Sequence, residues 1–127
     1  MINIGFDAVT VSRIEKSIRN QHFLERQFAP SELALFESRG NKPETIAANF
    51  AAKEALSKAL ACGIFGFDLR EAAVLRRDSG EPYFEFTGIL KEKLRSVGLA
   101  AEVSLSHENG MAFAMILLQP EMEFRGE

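Results

Sequence analysis

The sequence predicts one domain, residues 1–127, that mixes α-helices with antiparallel hairpins, and three observations carry that class. No helix breaker falls between Pro43 and Gly63, so a helix of about five turns is expected over residues 42–61. Ala72 to Arg76 and Tyr83 to Phe86 have strand-like composition and flank Asp78-Ser79-Gly80-Glu81-Pro82, a turn-rich connection. Ala101 to Ser106 and Met111 to Leu118 flank Glu108-Asn109-Gly110, and Asn-Gly is a favoured tight-turn pair.

The elements are justified in order along the chain. Residues 2–9, apolar apart from Asn3, Gly5 and Asp7, read as a buried strand that ends near Asp7. Ser12 with Glu15 has the spacing of a capping box, and Ile14 with Ile18 gives the following helix an apolar stripe to about residue 20. Phe23, Leu24 and Phe28 add a short helical stretch before Pro30, whose fixed φ suits the start of a helix over Ser31 to Ser38, closed by Gly40 and Asn41. Asn41 and Glu44 form a second capping pattern ahead of the long helix. On that helix Ile46, Phe50, Leu56 and Leu60 share one face, and the other side is alanine at 47, 48, 51, 52, 55 and 59. Burial on two sides is expected, with another backbone close to the alanines. Ile89, Leu90, Leu94 and Val97, ending at Gly98, make a short amphipathic helix between the hairpins. The last strand is apolar on both faces, which places it centrally in a sheet or beneath a neighbouring subunit.

Composition narrows the function. Hydrophobic residues at 46% against 26% charged, with eleven Phe and one Tyr, suffice for one packed core. Fifteen Lys plus Arg against eighteen Asp plus Glu leave a charge of −3, which argues against a nucleic-acid coat or a polybasic membrane binder. Cys62 is the only cysteine, so neither an internal disulfide nor a zinc knuckle is expected, and a cytosolic setting fits best. The start at Met1 lacks the basic and long apolar regions of a signal peptide, and the longest apolar run, Met111 to Leu118, is too short to span a bilayer.

Few residues could carry chemistry. Asp7 is a carboxylate in an apolar strand; on its own it reads first as a helix cap or an acceptor of backbone N–H groups, and second as a metal ligand. Glu54 and Lys58, four apart, share a helix face, either as an exposed ion pair or as a carboxylate at the margin of a covered face. Asp7 and Glu54 together supply two hard oxygen ligands, suited to Mg²⁺ completed by water and phosphate oxygens, and Lys58 would serve the same phosphate as a point charge. His107 lies where a strand meets a turn and reads as a solvated turn residue or a site residue; His22 has only the first reading. Cys62 reads as an apolar filler, and no phosphate-binding loop with a Lys-Ser or Lys-Thr end is present. The segment with Arg13, Lys16, Arg19 and Arg26 against Glu15 and Glu25 is locally +2, either a solvated face or a docking strip for an acidic protein.

Taken together the chain resembles the holo-acyl-carrier-protein synthases, the small bacterial class of 4′-phosphopantetheinyl transferases. The matching pieces are Gly5-Phe6-Asp7 with Val9 and Arg13-Ile14, Phe50-Ala51-Ala52-Lys53-Glu54-Ala55 with Lys58-Ala59, Gly63-Ile64, Gly80-Glu81-Pro82, and Ser104-Leu105-Ser106-His107-Glu108. They recur in family order over nearly the whole chain; the Phe-Ala-Ala-Lys-Glu-Ala block is specific and the rest acquire weight from their joint spacing.

The resemblance implies an α+β fold with one long central helix packed on a mainly antiparallel sheet, and a homotrimer with active sites between protomers. It implies coenzyme A as donor and a serine of an acyl carrier protein as acceptor, in fatty acid biosynthesis, with 3′,5′-ADP released. Asp7 and Glu54 match the magnesium ligands, and Lys58 matches the lysine beside the pyrophosphate, so Glu54 and Lys58 are the expected catalytic pair. Pro82, Ser106 and His107 fall where members line the coenzyme A cleft; Arg13 matches a residue that docks the carrier, and Lys16 extends the basic strip. The general base stays open between a carboxylate and a metal-held water. Asn49 departs from the pattern, standing where many members carry Arg and putting one coenzyme phosphate contact in question; Ala8, Thr10 and Cys62 also depart from it. Two alternatives are a magnesium-dependent coenzyme A pyrophosphatase, using the same carboxylates with water as nucleophile, and a non-catalytic carrier-binding module.

Overall fold

The computed structural model describes residues 2–60 and 66–121. Its order is β1 (Asn3–Thr10), α1 (Val11–Ser17), α2 (Gln21–Gln27), α3 (Pro30–Ser38), α4 (Pro43–Leu60), a 3₁₀ turn (Leu69–Glu71), β2 (Ala72–Arg76), β3 (Pro82–Phe86), α5 (Gly88–Val97), β4 (Leu99–Glu108) and β5 (Met111–Pro120). β1, β5 and β4 form an antiparallel sheet with β5 in the middle, and β2 pairs with β3 in a separate hairpin. This is the expected α+β architecture. The β4–β5 turn uses Asn109 at φ 50° and Gly110 at φ 75°, the left-handed pair that a two-residue hairpin requires.

The long helix crosses the inner face of the sheet, which presents Ala112, Ala114, Ile116 and Leu118 from β5. Both sides of α4 are buried, as its pattern predicts: Ile46, Phe50, Leu56 and Leu60 on one side, and the alanines at 47, 48, 51, 52, 55 and 59. β1 comes so close to the alanine stripe that a Cβ on Gly5 would collide with the Ala55 carbonyl oxygen. Asn3 Nδ2 donates to the Ala59 carbonyl at 3.1 Å and fixes the same approach. Phe28 and Phe36 close the opposite end of the core edge to face, with ring centroids 5.0 Å apart. Among the described residues no helix is long and apolar enough to cross a membrane.

Three local expectations are corrected. β1 is an edge strand rather than a buried one, because its alternate residues point away from α4 and leave Ile4 66% and Phe6 51% exposed. Ser12 does not cap α1: the strand runs directly into the helix at Val11, whose N–H donates 2.8 Å to the Gly110 carbonyl, so the orphan donor is met by the neighbouring turn. Asn41 closes α3 instead of opening α4, holding φ 52° while its N–H donates to the Phe36 carbonyl at 2.7 Å. Cys62 and Gly63-Ile64 lie outside the described residues.

Candidate functional site

β1 and α4 build the first group. Asp7 is on the inner face of β1 and meets Lys58, one turn after Glu54 on α4. The Lys58 ammonium donates 2.9 Å to Asp7 Oδ1 and 3.1 Å to the Phe6 carbonyl. The pair is asymmetrically solvated, with side chains 15% exposed for Asp7 and 58% for Lys58. Glu54 is half-buried and has no hydrogen-bond or ion-pair partner among the described residues. A half-buried carboxylate without a donor is unfavourable until a cation meets it. Together with the free second oxygen of Asp7, it supplies the hard oxygen donors that a small divalent cation prefers. Among the described residues no three His, Cys, Asp or Glu side chains gather as a cage, so water or substrate oxygens would have to complete such a site.

A second group lies at the other edge of the sheet. Pro82, Ser106 and His107 line one cleft of about 210 Å³, together with Arg39, Glu44, Thr45, Ala48, Arg76, Gly80 and Leu105. It is framed by the end of α3, the first turns of α4, the β2–β3 turn and the end of β4. The three residues thus share a wall, but Asp7, Glu54 and Lys58 are absent from it. With β5 between β1 and β4, the two groups stand at opposite edges of the sheet, roughly 10 Å apart laterally at the ordinary strand spacing.

A buried polar chain supports the cleft, and sequence reasoning missed most of it. Lys53 and Glu32 pair at 2.5 Å, both fully buried. Lys53 also donates to the carbonyls of Leu69 at 2.7 Å and Ala72 at 3.0 Å, joining α4 to the 3₁₀ turn and β2. Glu32 accepts from the Ala29 N–H at 3.0 Å and from Asn49 Nδ2 at 2.9 Å; the same amide nitrogen donates to the Val74 carbonyl at 2.9 Å. Asn49 Oδ1 then accepts from the Arg76 guanidinium at 2.7 Å. Burial pushes the Glu32 carboxyl above its ordinary range and the Lys53 ammonium below its own, each partly offset by the other's charge. Burial also lowers Arg76, and the nearby charge of Arg39 acts in the same direction. Asn49 was legible as a departure from a motif; its bond to a strand 27 residues away was not.

Arg13, Lys16, Arg19 and Arg26 are all exposed on α1 and the chain that follows it, and none joins an ion pair among the described residues. His22 is exposed too, next to the Asn20 cap of α2.

Comparison with known proteins gives this geometry a context. The sequence model of the 4′-phosphopantetheinyl transferase superfamily matches residues 3–112. The holo-[acyl-carrier-protein] synthase of Clostridium beijerinckii is 38% identical over 120 residues, covering 94% of this chain and 98% of its own length. The crystal structure of the Neisseria meningitidis holo-[acyl-carrier-protein] synthase superposes with a TM-score of 0.84 at 31% identity, covering 94% of this chain and 99% of that one. The Helicobacter pylori synthase in complex with coenzyme A superposes at 0.77 with 33% identity, over 91% of this chain and 99% of that one.

Proposed function

The chain belongs to the 4′-phosphopantetheinyl transferase superfamily and is a phosphopantetheinyl transferase, and on that premise we propose that it moves 4′-phosphopantetheine from coenzyme A to a serine of an apo-acyl carrier protein, in the cytoplasm, for fatty acid biosynthesis. The observation that carries the reading is the Asp7–Lys58 pair, partly open to solvent, beside the carboxylate of Glu54, which has no partner among the described residues.

In the reaction the serine Oγ attacks the β-phosphorus of coenzyme A, the bond to the bridging pyrophosphate oxygen breaks, and 3′,5′-ADP leaves. Negative charge gathers on the leaving oxygens, so the enzyme's task is positioning and electrostatic stabilisation. Lys58 holds its ammonium at the mouth of the group, where it can turn from Asp7 toward the pyrophosphate. Asp7 and Glu54 would hold Mg²⁺, which when bound neutralises pyrophosphate charge. Glu54 is the carboxylate of this chain available to take the serine proton. Pro82, Ser106 and His107 form the wall against which the nucleotide end of the donor lies.

The separation of the two groups supports a homotrimer. Each chain carries a carboxylate–lysine edge and a donor-cleft edge, and joining one edge to a neighbour's other edge assembles a complete site between protomers. The outer sheet face supports the same reading: Ile4, Phe6 and Met115 are 66%, 51% and 51% exposed, a contiguous apolar surface of the kind that marks an interface.

Incubation with coenzyme A, with and without apo-carrier protein, followed by mass analysis of the carrier and assay of 3′,5′-ADP, tests the function. Transfer that requires carrier and stops on chelation of divalent cations is expected. Nucleotide release without carrier would establish a pyrophosphatase, and absence of turnover would establish a binding module. Sedimentation equilibrium tests assembly, and a fully active monomer would overturn the shared site.

A further inference from the structure

The inner face of β1 lies on the smoothest side of α4. Gly5 meets the helix at the Ala55 carbonyl, in a row of buried alanines at 51, 55 and 59. Such a row offers no large side chain to interlock with a neighbour, so it lets the strand come close without fixing where along the helix it sits. The ladder to β5 holds β1 along one edge only. The seat of the strand on the helix is therefore left to directional contacts. Among the described residues three side-chain hydrogen bonds join β1 to α4. Two come from the Lys58 ammonium, to Asp7 Oδ1 at 2.9 Å and to the Phe6 carbonyl at 3.1 Å. The third comes from Asn3 Nδ2 on the strand to the Ala59 carbonyl, also at 3.1 Å. Lys58 and Ala59 are adjacent, so both tethers grip one turn of α4, from strand positions four residues or roughly 13 Å apart.

We propose that Asn3 is a positioning residue: its amide keeps β1 seated on α4 when Lys58 lets go, and so holds Asp7 within reach of a cation shared with Glu54. The proposal rests on the reading of Asp7 and Glu54 as cation ligands and of Lys58 as a phosphate contact. Lys58 is the tether that the reaction gives up, because its ammonium must turn from Asp7 toward the pyrophosphate. Asn3 touches no reacting group, and its bond is neutral, so neither a cation nor a phosphate competes for it. The side chain is half-buried, which shields that bond from water. Mg²⁺ demands oxygens at about 2.0–2.1 Å in a nearly ideal octahedron, so a shift of β1 by an ångström would take Asp7 out of reach. In the resting protein the strand is held twice, and loss of the Asn3 bond should matter little. With Lys58 turned away it is held once, and the same loss should matter more.

The test uses N3L, which keeps the size of the side chain and removes its donor, N3Q, which keeps the amide at longer reach, K58M, and N3L combined with K58M. Without ligand, N3L should unfold within about 3 °C of wild type, and N3L should cost more in the K58M background, where no tether remains. Mn²⁺, a paramagnetic stand-in for Mg²⁺, is then titrated by electron paramagnetic resonance with coenzyme A present and carrier absent. Its affinity should fall about fivefold in N3L, the worth of one neutral hydrogen bond, and less in N3Q. In transfer assays N3L should need more Mg²⁺ for half-maximal rate while its KM for carrier protein is unchanged. An N3L cost in thermal midpoint that is large on its own, or equal in both backgrounds, would overturn the proposal. So would N3L protein that binds Mn²⁺ as tightly as a wild type that takes it up. The unfolding arm requires no cation: coupling between the two substitutions in a wild type that takes up no Mn²⁺ would uphold the tether and reject the cation site.

Discussion

Helix α4 carries two lysine–carboxylate pairs five residues apart, and they behave as opposites. Lys53 meets Glu32 at 2.5 Å with both side chains fully buried, and every neighbouring acceptor or donor is fixed. Lys58 meets Asp7 at 2.9 Å with its own side chain 58% exposed, beside a carboxylate at Glu54 that has no partner among the described residues. The chemistry of the two pairs is the same and the solvation is not. Inside the core neither partner can be exchanged, because separating them leaves a bare charge at low dielectric. At the edge of the sheet the same pair is weak, and a cation or phosphate can replace either partner at little cost. One helix thus uses a lysine to join three elements and, a turn and a half later, another to meet a carboxylate at the solvent-exposed edge of the sheet.

The largest expected effect comes from the exposed group. Asp7→Ala or Glu54→Ala should lower transfer by more than about 10³-fold, each removing one of the two carboxylates proposed to hold the cation. The thermal midpoint should remain near that of wild type; near-normal rates at ordinary magnesium would break the metal assignment. Next is the buried pair: Glu32→Ala or Lys53→Met should destabilise the fold by about 3–5 kcal/mol, measured by denaturant titration. Replacing both together with apolar residues should recover much of that loss. If the single substitutions leave stability unchanged, the contrast between the pairs is wrong.

Lys58→Met sharpens the comparison from the other side. It should reduce kcat by roughly 10²-fold, as for removal of one preorganised charge-stabilising donor, while changing stability by less than about 1 kcal/mol. The smallest effect is expected at the basic strip. Arg13→Glu with Lys16→Glu should raise the KM for carrier protein several-fold and leave that for coenzyme A nearly constant. Since exposed charges are screened over about 8 Å at physiological salt, the wild-type KM for carrier should rise with ionic strength and the variant should lose that response. Parallel weakening toward both substrates would move Arg13 from the docking surface into the nucleotide site.

Much of this architecture was legible in the residues, for local reasons. Asn109-Gly110 demanded a hairpin because few residues tolerate two successive left-handed conformations. The alanine stripe of α4 announced a close backbone neighbour, and Gly5 of β1 is that neighbour. The family resemblance put Pro82, Ser106 and His107 on one wall, and they line one cleft. Arg39 and Arg76 passed unnoticed because nothing in their local pattern distinguishes them from ordinary surface arginines.

By itself the sequence determined the order and type of the elements, the turn that closes the final hairpin, the motif residues and their family. Tertiary structure alone decided which carboxylate each lysine meets, that β1 is an edge strand with an apolar outer face, and that the carboxylate group and the cleft lined by Pro82, Ser106 and His107 occupy opposite edges of the sheet. Periodicity reports only which residues share a face of their own helix or strand. Pairing, burial and the field at an ionisable group arise between segments far apart in the chain, such as Glu32 with Asn49 at 17 residues and Asp7 with Lys58 at 51, and they exist only once packing has removed the water between them.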